Sequence, residues 1–239
     1  PEPRRRGVLT LLAIEAVRIR EILLAQDRIS PLLNLGASTR RFREIVQPHI
    51  ARELFGPLAA AGVEIVHSDI RPGDGIDLAG DILDPAFAAA LAGRGFACVL
   101  CANLLEHVSD PAAAAAACEA IVPPGGLILA TVPSSYPYHA DPIDTGFRPA
   151  PAALAALFPR STALDAEELV AGSYGEEIRA RGTSVGAELA RTLLFGLAAF
   201  ARPKSFRARV HRWLWYRRSY RVAMALVRRE AGGRGVCEG

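Results

Sequence analysis

Residues 31–43 read PLLNLGASTRRFR: an apolar run, a single glycine, three small residues, then three arginines within four positions. The run from Leu32 to Leu35 is bounded by Pro31 and Gly36, and so short an apolar stretch reads as a buried strand. A buried strand that ends in a glycine and small side chains is how open α/β sheets offer a backbone loop to a nucleotide-like ligand. Such loops usually carry two or three glycines. The reading of this chain turns on whether one is enough.

The flanking sequence repeats a strand and helix rhythm. Upstream, Leu12, Val17, Ile19, Ile22 and Leu23 recur at helical spacing, which predicts a first helix from about Thr10 to Gln26. The N-terminal PEPRRRGVLTLLAIEAV runs into this helix with no clear cleavage site, so it reads as structure rather than a targeting signal. Downstream, Pro48 opens a helix that Gly62 closes, and VEIVH, from Val63 to His67, is a second strand. The polar loop SDIRPGDG leads to a brief third strand, IDLAG, and to Asp81. Pro85 opens a helix to about Gly93, FACVLCAN is a fourth strand, residues 111–121 an alanine-rich helix, and LILATV a fifth strand. The expected fold is a doubly wound, mostly parallel seven-stranded sheet covered on both faces. TALDAEELV supplies the sixth strand and RVAMALVRR, at 221–229, an antiparallel last one. Residues 1–175 then form the core with its N-terminal helix, 176–216 a basic and apolar helical insertion, and 217–239 the last strand and tail.

At 239 residues and 51% apolar, the chain accommodates one such domain with additions. Cys98, Cys101, Cys118 and Cys237 are too few and too irregular for a disulfide framework, which points to a reduced, cytoplasmic setting. Cys98 and Cys101 lie in one strand and face opposite ways, so the pair is not a redox or zinc motif, and no metal site is expected. Charge is uneven: residues 202–229 hold ten Lys or Arg and no acid, so with a total of +3 the rest of the chain sums to −7. That stretch also holds Trp213, Trp215, Tyr216 and Tyr220 and follows the apolar LLFGLAAFA. The apolar run is too short to span a bilayer. Residues 193–220 fit either an anionic surface on the inner face of the membrane or helices that cover the core or pair two copies in a homodimer. A nucleic-acid surface is disfavoured, because the basic residues form one segment rather than a groove built across several loops.

Ligands of an open parallel sheet occupy the crevice beyond the carboxyl ends of the strands. Four stretches converge there. Gly36 permits a tight turn, and Ala37 and Ser38 let backbone approach a ligand closely. Asp69, past the second strand, is placed to accept from a ribose diol. Asp81, past the third, is available to an adenine amino group or serves as a helix cap, with Ile82 beside it. Asn103, Glu106 and His107 end the fourth strand; Glu106 and His107 either meet substrate, partner each other or cap the adjacent helix. A dinucleotide would need GxGxxG and a nucleoside triphosphate GKS or GKT, and both are absent. A ligand with adenosine and no phosphate, S-adenosylmethionine, fits better. In the loop after the fifth strand His139 is a base candidate that Asp141 or Asp144 would orient, and Arg148 has the fork to hold an anionic acceptor. His107 is a second base candidate. The alternative role of these loop residues is to staple the loop to the sheet.

The succession NLGAST, VHSDI, DLAGDILDP, LCANLLEHVSDP and PPGGLILATVPSSYPYHADPIDTGFRP resembles the class I S-adenosylmethionine-dependent methyltransferases, in particular the type 11 group of bacterial polysaccharide and natural-product gene sets. The resemblance covers about residues 30–160 and implies a Rossmann-like fold. It places Gly36 in the cofactor loop, Asp69 at the ribose, Asp81 near adenine and Asn103 beside the methyl-transfer cleft. It implies methylation, expected on oxygen, of a small-molecule or saccharide acceptor that the basic insertion would suit if lipid-linked. NLGAS stands where the family carries about three glycines, so an inactive, adaptor-like relative is the competing expectation.

Overall fold

The computed structural model describes residues 11–137, 144–180, 182–197 and 203–231. Helix α1 (Ala13–Leu24) precedes strand β1 (Leu32–Leu35), whose four residues are all buried. Helix α2 (residues 40–60) begins directly after the glycine loop, eight residues before the predicted start at Pro48. Gln47 leaves the helical region at φ −127°, ψ 69°, because Pro48 brings no N–H to continue the ladder, and two π-type turns lie on either side of the break. The arginines at 40, 41 and 43 therefore belong to the first turns of α2, against the loop.

Strands β2 (Ile65–Asp69) and β3 (Leu78–Ala79), helix α3 (Pro85–Ala92), strand β4 (Cys98–Ala102), helix α4 (Pro111–Ile121) and strand β5 (Leu127–Ser135) follow close to their predicted places. Beyond them lie α5 (Pro151–Ala155), β6 (Ser161–Ser173), α6 (Tyr174–Ala180), α7 (Val185–Leu197), α8 (Pro203–Arg212) and β7 (Ser219–Arg229). The sheet runs β3-β2-β1-β4-β5-β7-β6. β7 pairs antiparallel with both β5 and β6, while β1 to β5 pair in parallel. The chain reverses direction across the sheet between β1 and β4, the place where open sheets open a crevice.

Two apolar layers close the faces. Ala16, Ile19, Ile22 and Leu23 of α1 pack with Leu54 and Leu58 of α2 on one side, together with Cys98, Leu100 and Leu129. Ala114, Ala115, Cys118 and Ile121 of α4 cover the other, with Val99, Cys101 and Ile128. Cys98 and Cys101 thus face opposite layers, as strand alternation requires. The aromatics of the insertion turn inward: Trp215 and Tyr220 are buried, and Trp213 and Tyr216 pack on the α1 face. Trp213 Nε1 donates to Thr192 Oγ1 at 3.2 Å. Among the described residues of 193–220 the large apolar side chains left outside are aliphatic, Leu193, Leu194, Val210 and Leu214, along with exposed arginines such as Arg217 and Arg218. Among the described residues no helix is long and apolar enough to cross a membrane.

Candidate functional site

The loop between β1 and α2 is built in a single shape. Gly36 turns at φ +70°, and a Cβ there would stand 3.2 Å from Leu104 Cδ1, so the loops after β1 and β4 meet over this glycine. Ser38 also takes a left-handed φ of 55°, the cost a second glycine would have spared, and its N–H donates to Asp69 Oδ2 at 2.8 Å. Ala37 is buried, and its N–H donates to the Ser68 carbonyl at 2.9 Å. Beneath the loop lies Arg43, a buried arginine of α2. Its Nη1 donates to the carbonyls of Ala37, at 3.1 Å, and Ser38, and its Nη2 to that of Gly75 at 2.9 Å. Burial lowers the Arg43 pKa, and Asp74, Asp77 and Glu44 favour its charge. The loop after β2 is drawn onto the same arginines, where the Arg40 N–H donates to the Asp74 carbonyl at 2.8 Å.

Asp69 ends β2 with each carboxylate oxygen receiving one backbone donor, Ser38 at 2.8 Å and Arg71 at 3.2 Å. A carboxylate has about four acceptor positions. Asp81 is exposed, and its Oδ1 accepts from the Leu83 N–H at 2.9 Å. It is not the cap of α3: Asp84 is, accepting from the Ala86 N–H at 2.9 Å. Ile82 turns into the apolar layer under α3.

At the ends of β4 and β5 stands a residue that sequence reasoning passed over. Glu15 of α1 is 1% exposed. Its Oε1 accepts from Asn103 Nδ2 at 2.9 Å and from Thr131 Oγ1 at 2.6 Å, and its Oε2 accepts from the Leu12 N–H at 3.3 Å. Burial pushes its pKa up to about 7 against these three hydrogen bonds. The signal was a glutamate on the otherwise apolar stripe of Leu12, Ala16, Ile19, Ile22 and Leu23. Asn103 takes a left-handed φ of 49° at the turn out of β4. Arg43 was passed over too, read only as one of an arginine cluster.

Glu106 and His107 follow in a single turn, Leu105–His107. Glu106 is 1% exposed, burial pushes its pKa up to about 8, and His107 Nε2 lies 3.7 Å from its Oε1. That separation is too long for a hydrogen bond, and neither Glu106 carboxyl oxygen has a hydrogen-bond partner among the described residues. Neither residue caps α4: its cap is Asp110, which accepts from the Ala113 N–H at 2.9 Å. Thr145 donates to the Glu106 carbonyl through N–H and Oγ1, fastening the loop after β5 to the turn after β4. Asp144 and Arg148 belong to that fastening: Arg148 Nη2 donates to Asp144 Oδ2 at 2.6 Å, and Asp144 Oδ1 accepts from the Gly146 N–H at 2.9 Å. The expectation that Arg148 holds an acceptor and Asp144 orients a histidine meets this ion pair instead; the fork is engaged by its own loop. His139 and Asp141 lie outside the described residues. No group of three metal-ligating side chains occurs among the described residues.

Gly36, Ala37, Ser38, Asp69 and Asn103 thus stand around one crevice end. The fit to an adenosine-bearing ligand without phosphate rests on the close approach at Gly36, the spare acceptor positions of Asp69 and the buried carboxyls behind Asn103.

No curated protein matches the chain in sequence. Solved structures similar to it include the [4+2]-cyclase SpnF, at 16% identity and TM-score 0.54, covering 97% of this chain and 86% of that one. The MccD protein is similar at 14% identity and TM-score 0.53, with 93% and 100% covered. A Bacillus halodurans protein assigned to the methyltransferases is similar at 13% identity and TM-score 0.54, with 91% and 100% covered. Likeness at this distance shows the shared fold. The sequence profile described as a methyltransferase domain matches residues 15–168, from the buried Glu15 into β6. That match spans well over half of the chain and takes in every loop around the crevice, and so the chain belongs to the methyltransferase-domain family, enzymes that draw the methyl group from S-adenosylmethionine.

Proposed function

We propose that the protein methylates a hydroxyl oxygen of a small-molecule or saccharide acceptor, in the manner of the type 11 polysaccharide and natural-product enzymes. The observation that carries this is the meeting of the Gly36 loop, Asp69 and Asn103 at one end of the sheet, with two buried carboxyls behind them. The cofactor supplies a methyl group on a positively charged sulfur, open to displacement by an aligned nucleophile. Asp69 would accept from the ribose, the backbone at Gly36 would allow close approach, and Asp81 and Ile82 would border the adenine. A hydroxyl acceptor gains from a proton acceptor that titrates near pH 7, and Glu106, at about 8, lies close to that range. His139 and His107 remain candidate bases.

A second reading is cofactor binding without methyl transfer. It is favoured by the left-handed Ser38, an expense most first loops avoid with glycine. Calorimetric titration with S-adenosylmethionine, its demethylated product and NAD separates the cofactor classes. Asp69→Ala should cost about 1–3 kcal/mol of S-adenosylmethionine affinity, the loss of charge-assisted bonds to a diol. Unchanged affinity would remove Asp69 from the site. Methyl transfer to a panel of glycosides and phenols then distinguishes the two readings.

A further inference from the structure

The buried acids among the described residues fall into two groups. Glu119, Glu188 and Asp144 each hold an arginine: Arg160 at 3.1 Å, Arg191 at 3.0 Å and Arg148 at 2.6 Å. Glu15 and Glu106 are as deeply buried and hold none; neither carboxyl oxygen of Glu106 has a hydrogen-bond partner, whereas Glu15 is held by neutral donors, an amide side chain, a hydroxyl and a backbone N–H. A buried carboxyl without a counter-charge favours its protonated form until a cation is brought to it.

The sheet order shows where such a cation would come from. Asp69 ends β2, and β1 and β4 follow it in the sheet, each step about 4.8 Å. A ligand whose ribose meets Asp69 extends the rest of its length across the Gly36 loop toward β4 and β5. There Asn103 and Thr131 stand, with Glu15 hydrogen-bonded to both. We infer that Glu15 is the counter-charge for the sulfonium of the methyl donor: held by Asn103 and Thr131, it gives up its proton more readily when the sulfonium is seated than when the product is seated, which keeps the same α-ammonium and carboxylate but has no charge on sulfur, so it favours donor over product. This rests on the S-adenosylmethionine reading above. Glu15 is a positioning residue here, acting through Asn103.

The groups that bear on Glu15 are few. Glu106 from the turn after β4 and Tyr136 at the end of β5 are coupled to it electrostatically, and neither is a cation. Arg148 and Asp144 reach Glu106. The cations of α1 point elsewhere, Arg18 to Glu167 of β6 and Arg20 to Glu53 of α2, and His49 of α2 lies against the Leu11 carbonyl.

The sign follows from burial. In the free protein the Glu15 carboxyl is half protonated near pH 7. Below that pH donor binding has to expel the proton, so donor affinity falls as pH falls, and product affinity, lacking the charge on sulfur, falls less. The test is calorimetric titration of the full chain with S-adenosylmethionine and with S-adenosylhomocysteine from pH 5.5 to 8.5, in phosphate and in Tris, whose different ionisation enthalpies count released protons. The expected result is close to one proton released by the donor around pH 6, with less by the product. The preference for donor over product should climb by up to about tenfold per pH unit, the equivalent of one pKa unit, and level above pH 7. Glu15→Gln should abolish that slope and lower the preference about a hundredfold at pH 8, the coupling that close to one proton released at pH 6 requires, with product affinity within about threefold; Glu106→Gln should leave the slope in place. Equal proton release by donor and product in the unmutated protein overturns the inference, even if Glu15→Gln fails to fold. So does a slope that survives Glu15→Gln or is lost in Glu106→Gln. If neither ligand binds, it is the cofactor assignment that fails, and the inference falls with it.

Discussion

Arg43 is the side chain whose removal most directly tests how this first loop keeps its shape. Its guanidinium donates to three carbonyls on two loops, Ala37 and Ser38 after β1 and Gly75 after β2. A hydrogen bond to a charged group is worth about 1.5–3 kcal/mol when one partner is deleted. The full sum does not apply, because truncation admits water to loop carbonyls and spares the burial of the guanidinium, which lowers its pKa. One to two bonds' worth remains, so Arg43→Ala should cost about 2–4 kcal/mol in urea unfolding at pH 7. Arg43→Lys keeps the charge but lacks a planar fork to reach both loops, and should recover about half. Arg43→Met, with the stem and no donor, should resemble Arg43→Ala. Cofactor affinity should fall with stability, since a loosened loop has to be ordered on binding. An Arg43→Ala protein within about 0.5 kcal/mol of the parent, the range of an ordinary surface change, would refute the reasoning. So would an Arg43→Lys protein equal to the parent.

Glu15 and Glu106 make stability fall as pH rises. Their unfolded pKa is near 4.5 and their folded values about 7 and about 8, so the folded chain binds more protons across that window and the loss ends above pH 8. Each contributes at most about 1.4 kcal/mol per pH unit, and urea unfolding from pH 5 to 8.5 should show a decline that a Glu15→Gln, Glu106→Gln protein flattens; an undiminished decline in that variant would show other groups at work. Contact of residues 193–220 with an anionic bilayer would rely on Leu193, Leu194, Val210 and Leu214, because the tryptophans pack inward. Changing those four residues to Gln should abolish sedimentation with anionic vesicles, and a salt-insensitive dimer that dissociates in the same variant would assign the face to a second copy.

Much of the fold was legible because it rests on local patterns. LLNL, VEIVH and LILATV are short apolar runs bounded by Gly or Pro, and Pro85 and Pro111 stand at helix starts with Asp84 and Asp110 as their caps. The start of α2 was misplaced because Pro48 was read as an opening, when it marks a break inside a helix already under way. In the site, Gly36, Asp69 and Asn103 were legible from their places at strand ends. Glu15 was not, because its partners Asn103 and Thr131 lie 88 and 116 residues away, and a helix pattern shows which face is buried but not what it meets. For Arg148 the sequence left two roles open, holding an acceptor or stapling its loop, because sequence gives the fork and only the fold shows that Asp144 already holds it.

The single glycine of NLGAST is answered by what surrounds it. A loop of three glycines costs little strain when folded and much entropy when ordered, whereas a left-handed serine costs about 1–2 kcal/mol of strain and has fewer unfolded states to lose. Here the strain at Ser38 is opposed at the same residue, with its N–H on Asp69 and its carbonyl on Arg43. Ala37, its neighbour, is held in the same way, by Ser68 and Arg43. At Gly36 a side chain would meet both a left-handed φ of +70° and Leu104 Cδ1 3.2 Å from its Cβ, and there the loop keeps glycine. The loop is thus set before any ligand arrives. Its glycine count speaks to how its shape is held rather than to whether it binds.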